Sequence, residues 1–466
     1  MTKEDAGGLS GLENPRRIYV YLIATVAAVA GLLMGYHLVV IGGAIIFLAK
    51  EFALGPAAIG FTASSTAIGC LVGPPIAGVL GDRVGRKWTL ALAGMFFAAA
   101  ALGGVISTSL ISFNSYRILG GLGVGMASVA SPMYIAEVAP SRIRGSLVTL
   151  FQIAVVSGGF LSVVVCYGFS LSGSWRWMVG VQAIPAGLFL LGLLFVPESP
   201  LWLIEKGRQH EAFRILSDIN GSRQAEEETA AITLSIASQV EAGGWSELLQ
   251  AGTRLSLFVA IALGLLQQWT GAGTLFLYAP IILQKAGFHR AQDALMQTVI
   301  LNAWNLGFTL IAFWLVDRAG RRPLLLMGTA GMAIGFVLMG FVFKFTLSGW
   351  YVLVIMIACV GTYAVSLGPL PWLIMSEIFP TRLRGRAMAV GSCSVWIALF
   401  TANQAFPPLA AHLEKRFGTA AGVFWIFAVV CMAAFVFAWR MVPETKGKSL
   451  EEVARLWTKA QPQVQS

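Results

Sequence analysis

The chain has 466 residues, 57% apolar and only 12% charged, with a formal net charge of +10. Soluble globular chains carry roughly 25% charged residues, so a string of ordinary soluble domains is excluded. Cutting the sequence at every Asp, Glu, Lys and Arg leaves twelve charge-free runs of 19 residues or more, holding 318 residues together. About 20 residues of helix cross a hydrocarbon layer of roughly 30 Å. Each run is therefore a membrane span, and a β-barrel or a secreted enzyme is excluded with the soluble fold.

In chain order the predicted spans 1 to 6 are 18–49, 52–81, 88–116, 118–136, 145–175 and 177–197. Spans 7 to 12 are 255–284, 294–316, 323–343, 345–376, 387–413 and 417–439. With residue 1 in the cytoplasm, the inside segments hold 24 of the 32 Lys and Arg, the outside loops hold 7, and Arg117 lies within span 4. Positive charge is retained on the cytoplasmic side, so both termini are expected there, with the chain in the plasma (inner) membrane. The basic balance is thus topology, and no nucleic-acid partner is expected. The first 17 residues lack the apolar core of a signal peptide. All five cysteines fall inside charge-free runs, with spacing that fits neither a metal site nor a disulfide framework.

Short patterns recur along the chain. Gly81-Asp82-Arg83-Val84-Gly85-Arg86-Lys87 after span 2 returns as Val316-Asp317-Arg318-Ala319-Gly320-Arg321-Arg322 after span 8. Glu137 to Pro140 with Arg144-Gly145 after span 4 returns as Glu377 to Pro380 with Arg384-Gly385 after span 10. Pro197-Glu198-Ser199 closes span 6, and Pro443-Glu444-Thr445 closes span 12. The offsets of 235, 240 and 246 residues define a repeat of six spans, and all three pairs lie on one side of the membrane. The halves therefore share orientation, as in a parallel repeat about an axis along the membrane normal. The expected fold is an all-α membrane protein of 12 transmembrane helices in two six-helix bundles related by pseudo-twofold symmetry. The expected segments are a cytoplasmic N-terminus (1–17), a first bundle (18–197), a solvated cytoplasmic linker with short helices (198–253), a second bundle (254–442) and a cytoplasmic tail (443–466).

Charged side chains beside a bilayer cost free energy unless paired or hydrated. Asp82, Arg83, Arg86, Glu137, Arg144 and Glu198, with Asp317, Arg318, Arg321, Glu377, Arg384 and Glu444, are therefore read as a cytoplasmic gate that latches the halves. The expected pairing sets Arg83 and Arg144 against Glu137 and Glu444, mirrored by Arg318 and Arg384 against Glu377 and Glu198. The run Gly120-Gly121-Leu122-Gly123-Val124-Gly125 superficially matches a dinucleotide loop. It lies inside span 4 and follows no strand, so close helix packing is its reading.

The three repeated motif pairs, together with Pro200-Leu201-Trp202-Leu203 and the continuation Lys446-Gly447-Lys448-Ser449-Leu450-Glu451-Glu452, resemble the sugar porter branch of the major facilitator superfamily over residues 15–455. The resemblance implies a sugar transporter working by alternating access as a monomer, either a passive carrier or a proton symporter, with a sugar, the lipid bilayer and, in the second case, protons as its partners. It implies no catalytic residue, cofactor or metal, and no motif for ATP, metal or nucleophilic catalysis occurs. A sugar site needs amides and an aromatic wall near the midplane. Gln152, Gln267, Gln268 and Asn305 match the family's sugar-binding amides, Trp372 beside Pro369 and Pro371 matches an aromatic of the site, and Asn302 shares a helix face with Asn305. Tyr278 and Trp396 complete the expected set. Three departures stand out: Gly273 replaces an amide, Leu277 replaces the first of two paired aromatics of which Tyr278 is the second, and Val395 replaces the amide before Trp396. The second half of the site is thus less polar than the family pattern.

Two titratable groups lie deep in spans, His37 and Arg117. Proton-coupled sugar porters carry Gly-Tyr-Asp where this chain has Gly35-Tyr36-His37, with the span-4 arginine kept as Arg117. A neutral His37 accepting a hydrogen bond from the Arg117 guanidinium is the expected arrangement. On this basis the first expectation is facilitated uniport of a monosaccharide. The alternatives are proton symport through His37, since histidine titrates near neutral pH, and carriage of another small polar solute such as a polyol or organic ion.

Overall fold

A computed structural model describes residues 14–140, 143–237, 245–347, 349–379 and 381–446. Its regular structure is helical, with no strand among the described residues. The cause is the solvent. Lipid offers no hydrogen-bond partner, so a spanning segment must pair its own N–H and C=O groups. Among the described residues, eleven helices are long and apolar enough to cross a membrane, and the shorter apolar helix Gly349–Ala364 falls within the tenth predicted span. The chain is an all-helical membrane protein with the expected span order.

Several spans are broken where the sequence removes a donor or forces a turn. Span 2 is divided into Pro56–Ser64 and Thr66–Val84, and the second piece contains Pro74 and Pro75. Span 6 runs as Trp175–Gly180 and Ala183–Leu194, with Val181 and Gln182 between. Span 7 consists of Ala251–Trp269, Ala272–Leu277 and Ala279–Lys285, turning at Gly271 with φ +85°. Span 10 consists of Gly349–Ala364 and Leu370–Glu377, its second piece starting at the Pro369-Leu370-Pro371 run. Proline lacks the N–H of a helix interior, so breaks at such positions free backbone carbonyls.

The outward faces need lipid. Ile184, Leu188, Leu191 and Leu194 form a helical stripe in span 6 and are 57–67% exposed. A row of large apolar residues left that open has no place in water. The packing forms two compact units. One comprises the described residues of Met1–Leu38, Val72–Leu161 and Val179–Val240, the other those of Val39–Leu71, Ser162–Met178 and Glu241–Ser466.

The linker forms the short helices expected of it, each with one face turned inward. Its helices are Pro200–Glu205, Gln209–Asn220 and Ser222–Ala237. Ser199 caps the first by accepting from the Trp202 N–H at 3.3 Å. Trp202, Leu203, Ile204 and Ala212 form a small core, against which Ile215, Ile232 and Ile236 pack. The Trp202 indole also donates to the Asp82 carbonyl at 3.1 Å, pinning the linker to the end of span 2. Apolar residues clustered just after the cap make this segment fold rather than hang in solvent.

Candidate transport site and charged motif clusters

The three repeated motifs converge on one construction, built twice. In the first unit Glu198 accepts from the backbone N–H of Arg86 at 2.9 Å, Lys87 at 3.1 Å and its neighbour Ser199 at 2.8 Å. The carboxylate thus caps the positive N-terminus of the helix Arg86–Ile106. Gly85 makes this possible. Its φ is +101°, and a Cβ there would sit 2.2 Å from Glu198 Oε2. Arg86, 5% exposed, reaches Glu137 at 3.1 Å, Asp82 at 3.4 Å and the Gly81 carbonyl at 2.7 Å. The Ser199 hydroxyl donates to Glu137.

The second unit repeats the arrangement. Glu444 accepts from the N–H of Arg321 and Arg322 at 3.1 Å each and of Lys446 at 2.9 Å. Gly320, with φ +89°, leaves room, since a Cβ would lie 2.8 Å from Glu444 Oε2. Arg321 reaches Glu377 at 3.3 Å, and Thr445 donates to Glu377 at 2.5 Å. The motif at the end of span 6 or 12 therefore clamps the start of the next-but-two helix back, span 3 or 9, to the end of span 4 or 10.

This corrects the pairing read from the sequence. Glu137 meets Arg86, not Arg83 or Arg144, and Glu377 meets Arg321, not Arg318 or Arg384. Glu198 and Glu444 take backbone donors. Arg83 and Arg144 are exposed, and Arg144 donates weakly to the Ala139 carbonyl at 3.4 Å. Arg318 stacks on Trp314 at 4.0 Å. The side chain of Asp317 lies outside the described residues. Spacing shows which motifs repeat, but not that a positive-φ glycine turns a helix start toward a carboxylate.

The Glu444 carboxyl sits in a balance of causes. Burial raises it, and the backbone N–H groups of Lys446, Arg321, Arg322 and Thr445 outweigh burial and hold it below its ordinary value of 4.5. A depressed carboxyl contributes stability above its unfolded value and loses it as pH falls through the folded one. The cluster should therefore loosen only below about pH 4.5. Thermal melts from pH 7 to 3.5 test this: the acid-side fall should be smaller in Glu444→Gln, whose starting stability is lower. An identical pH profile in the two proteins would remove Glu444 from the clamp.

In the second unit Gln267 is buried, and its Nε2 donates to the carbonyls of Leu367 and Gly368 at 2.9 Å each, in the break of span 10. Gln267 Oε1 and the indole nitrogen of Trp396 are both buried and have no hydrogen-bond partner among the described residues. Spans 7 and 11 approach at Gly264, where a Cβ would meet Ser394 Oγ at 2.1 Å and Val395 at 3.2 Å. Gln267 follows Gly264 by three residues, and Trp396 adjoins Val395, so both residues are close in sequence to this crossing. Gln268 lies with its Oε1 over Gly273, 2.6 Å from where a Cβ would stand. Trp372 and Asn305 are half-buried. Gln152, in the first unit, is exposed along span 5.

Two expected ligands of sugar are occupied otherwise. Asn302 donates from Nδ2 to the Thr298 carbonyl of its own helix at 2.9 Å. Tyr278 is 1% exposed, its hydroxyl donates to the Asn403 carbonyl at 2.8 Å, and its ring stacks on Phe406 at 5.0 Å. Tyr278 also lines an apolar cavity of about 140 Å³ with Ile282, Phe406 and Phe424. Its part is packing, because a phenol this deep must find a nearby acceptor.

In the first unit His37 is 1% exposed and held from three sides. Nδ1 lies 3.1 Å from Gln182 Oε1, and Nε2 lies 3.3 Å from the backbone carbonyl of Arg117. Phe97 flanks the ring at 6.1 Å. Gly120 lies beneath it, where a Cβ would come within 2.2 Å of the ring, so the glycine run of span 4 is there for close approach. The expected bond from guanidinium to ring is replaced. Arg117 Nη1 donates to the His37 backbone carbonyl at 3.4 Å, because the close crossing at Gly120 brings the imidazole against the backbone of span 4. Gln182 was missed by sequence reasoning. A single amide in an apolar run gives no signal until the break in span 6 shows that it is aimed.

Twelve spans, an internal repeat, twin charged clamps and buried amides define a polytopic carrier of small solutes. A family model described as sugar (and other) transporter matches residues 23–457. The chain belongs to this family, the sugar porters of the major facilitator superfamily. It is 39% identical to the arabinose-proton symporter of Bacillus subtilis (strain 168), covering 95% of this chain and 96% of that one. It is 36% identical to the D-xylose-proton symporter of Escherichia coli (strain K12), covering 94% and 96%. Among solved structures, the inward open conformation of the xylose transporter XylE from E. coli matches with TM-score 0.83 and 33% identity, over 94% of this chain and 100% of that one.

Proposed function

We propose that this protein carries a monosaccharide, a pentose such as arabinose or xylose first among them, across the plasma membrane by alternating access. The observation that carries the reading is the pair of orphaned polar atoms, Gln267 Oε1 and Trp396 Nε1, on spans 7 and 11, two helices that meet at Gly264. A buried acceptor and a buried donor without partners cost free energy, which a hydroxylated ligand recovers. Gln152, Gln268, Asn305 and Trp372 are the further contacts. The paired motif clusters, each closed within its own half, brace the cytoplasmic helix ends that move as the gate opens and closes, both termini lie inside, and one copy in the bilayer suffices. The chain performs no covalent chemistry.

The coupling mode turns on His37. Proton symport, the alternative in the sequence reading, becomes the first reading here. Both ring nitrogens face acceptors, Gln182 Oε1 and the Arg117 carbonyl, and the named relatives are proton symporters. Passive uniport is the second reading, favoured by spans that contain no Asp or Glu within their charge-free runs. Labelled arabinose, xylose and glucose uptake into proteoliposomes, with and without an imposed proton gradient, decides between them. Gradient-driven accumulation is expected, and it should be lost in His37→Phe while equilibrative exchange persists. Equilibrative uptake that ignores the gradient would establish the passive carrier, and no uptake of any sugar by folded protein would end the sugar reading.

A further inference from the structure

The geometry points to Gln182 as the positioning residue that sets proton occupancy at His37, through a side-chain amide whose two orientations match the two charge states of the ring. This rests on the proton-coupled reading above. The Gln182 side chain is wholly buried in the break between Trp175–Gly180 and Ala183–Leu194. Its Nε2 donates to the Leu33 carbonyl of span 1 at 3.0 Å, which turns Oε1 toward His37 Nδ1 at 3.1 Å. On the far side of the ring, Nε2 of His37 faces another acceptor, the Arg117 carbonyl.

A neutral imidazole has one donor and one acceptor nitrogen, and only the imidazolium donates from both. With the amide as placed, the protonated ring satisfies both acceptors, whereas the neutral ring points a lone pair at one of them. Turning the Gln182 amide by half a revolution moves that clash away from the ring. Nε2 then donates to a neutral Nδ1, and Oε1 faces the Leu33 carbonyl, so the bond between spans 1 and 6 is lost and the two acceptors push apart. The proton on His37 and the bond from span 6 to span 1 are thereby one equilibrium. The opposing influence is Arg117, the charged side chain among the groups that pack on the ring from spans 1, 3, 4 and 6. A second buried cation beside it is costly, so the ring returns its proton to water when the surroundings stop favouring it. No bond other than N–H forms or breaks: water on one side supplies the proton, and water on the other accepts it.

The test uses the full-length protein with ¹⁵N-labelled histidine, the signal of His37 being assigned by its loss in His37→Phe. Spectra across pH report the charge and tautomer of the ring directly, alongside uptake driven by a proton gradient. Gln182→Glu keeps an acceptor opposite Nδ1 and adds a charge, so His37 should stay protonated to a pH at least one unit higher, with gradient-driven accumulation reduced at least tenfold. Gln182→Met removes the acceptor and should move the transition the other way. Should the glutamate variant fail to fold, the methionine variant decides. If the His37 spectra of both variants track those of the unaltered protein, the inference is overturned. If they shift as expected while uptake ignores the proton gradient in every form, the inference stands and the coupling reading falls.

Discussion

Replacing Gln267 with Ala is expected to lower kcat/KM for sugar uptake by about 100-fold or more, with a smaller loss of thermal stability. The side chain serves two ends at once. Nε2 holds the carbonyls of Leu367 and Gly368 in the irregular stretch of span 10, and Oε1 is left without a partner among the described residues. Truncation removes the acceptor offered to a sugar hydroxyl and strands two carbonyls. A buried group left unsatisfied costs about 1–3 kcal/mol, and each 1.4 kcal/mol is tenfold in an equilibrium. The two effects separate experimentally. Sugar binding to purified protein, followed by intrinsic tryptophan fluorescence, reports the site, and a thermal melt reports span 10. Gln268→Ala, which leaves the Gln267 bonds to Leu367 and Gly368 in place, should affect binding with less effect on the melt. Uptake within about threefold of the unaltered protein would remove Gln267 from the site.

The twelve spans were legible because lipid makes a single demand, a long run without charge, and the sequence shows it directly. The repeated motifs were equally plain, and their residues do come together: Arg86, Glu137 and Glu198 in one unit, Arg321, Glu377 and Glu444 in the other. Their pairing was not legible. Counting charges assigns acid to base, whereas Glu198 and Glu444 are held by backbone N–H groups that no side-chain pattern reveals. Ser199 and Thr445 also went unread, although each donates to the acid of its cluster. In the candidate site, residue type was a guide to Gln267 but could not show that the Tyr278 hydroxyl is spent on the Asn403 carbonyl, or that one N–H of Asn302 goes to Thr298 of its own helix. What decides such cases is which carbonyl a helix break leaves within reach, and that depends on tertiary packing. The linker's short helices were legible from its polarity, whereas the particular core of Trp202, Leu203, Ile204 and Ala212 was not.

Replacing Gly60 with Trp is expected to abolish net sugar transport while leaving sugar binding intact. Gly60 belongs to Pro56–Ser64, the piece of span 2 farthest from the charged clusters, and lies against span 11 within one compact unit. A Cβ there would stand 2.6 Å from the Gln404 carbonyl oxygen and 3.3 Å from that residue's Cα, both backbone atoms that cannot rotate aside. The contact is held around that point. Gln404 Nε2 donates to the Ala57 carbonyl at 3.2 Å, Ser64 Oγ donates to Gln404 Oε1 at 3.3 Å, and Phe61 meets Phe400 edge to face at 6.5 Å. Gly42 makes a matching approach nearby, its missing Cβ 2.5 Å from the Leu277 carbonyl. On the proposed topology, which puts both termini inside, this seam lies on the outer side, and it joins elements from the two sequence halves. Packed backbone does not yield gradually, so an indole at Gly60 holds the seam apart rather than compressing it. A carrier that cannot close its outer side still admits sugar from that side but cannot complete the cycle. Gly55, whose Cβ would meet nothing within 4 Å, supplies the control: Gly55→Trp should transport normally. Cysteine accessibility from the outside should rise in Gly60→Trp and not in Gly55→Trp. Normal uptake by Gly60→Trp would mean that this contact opens and closes nothing, and the seam would be structural packing alone.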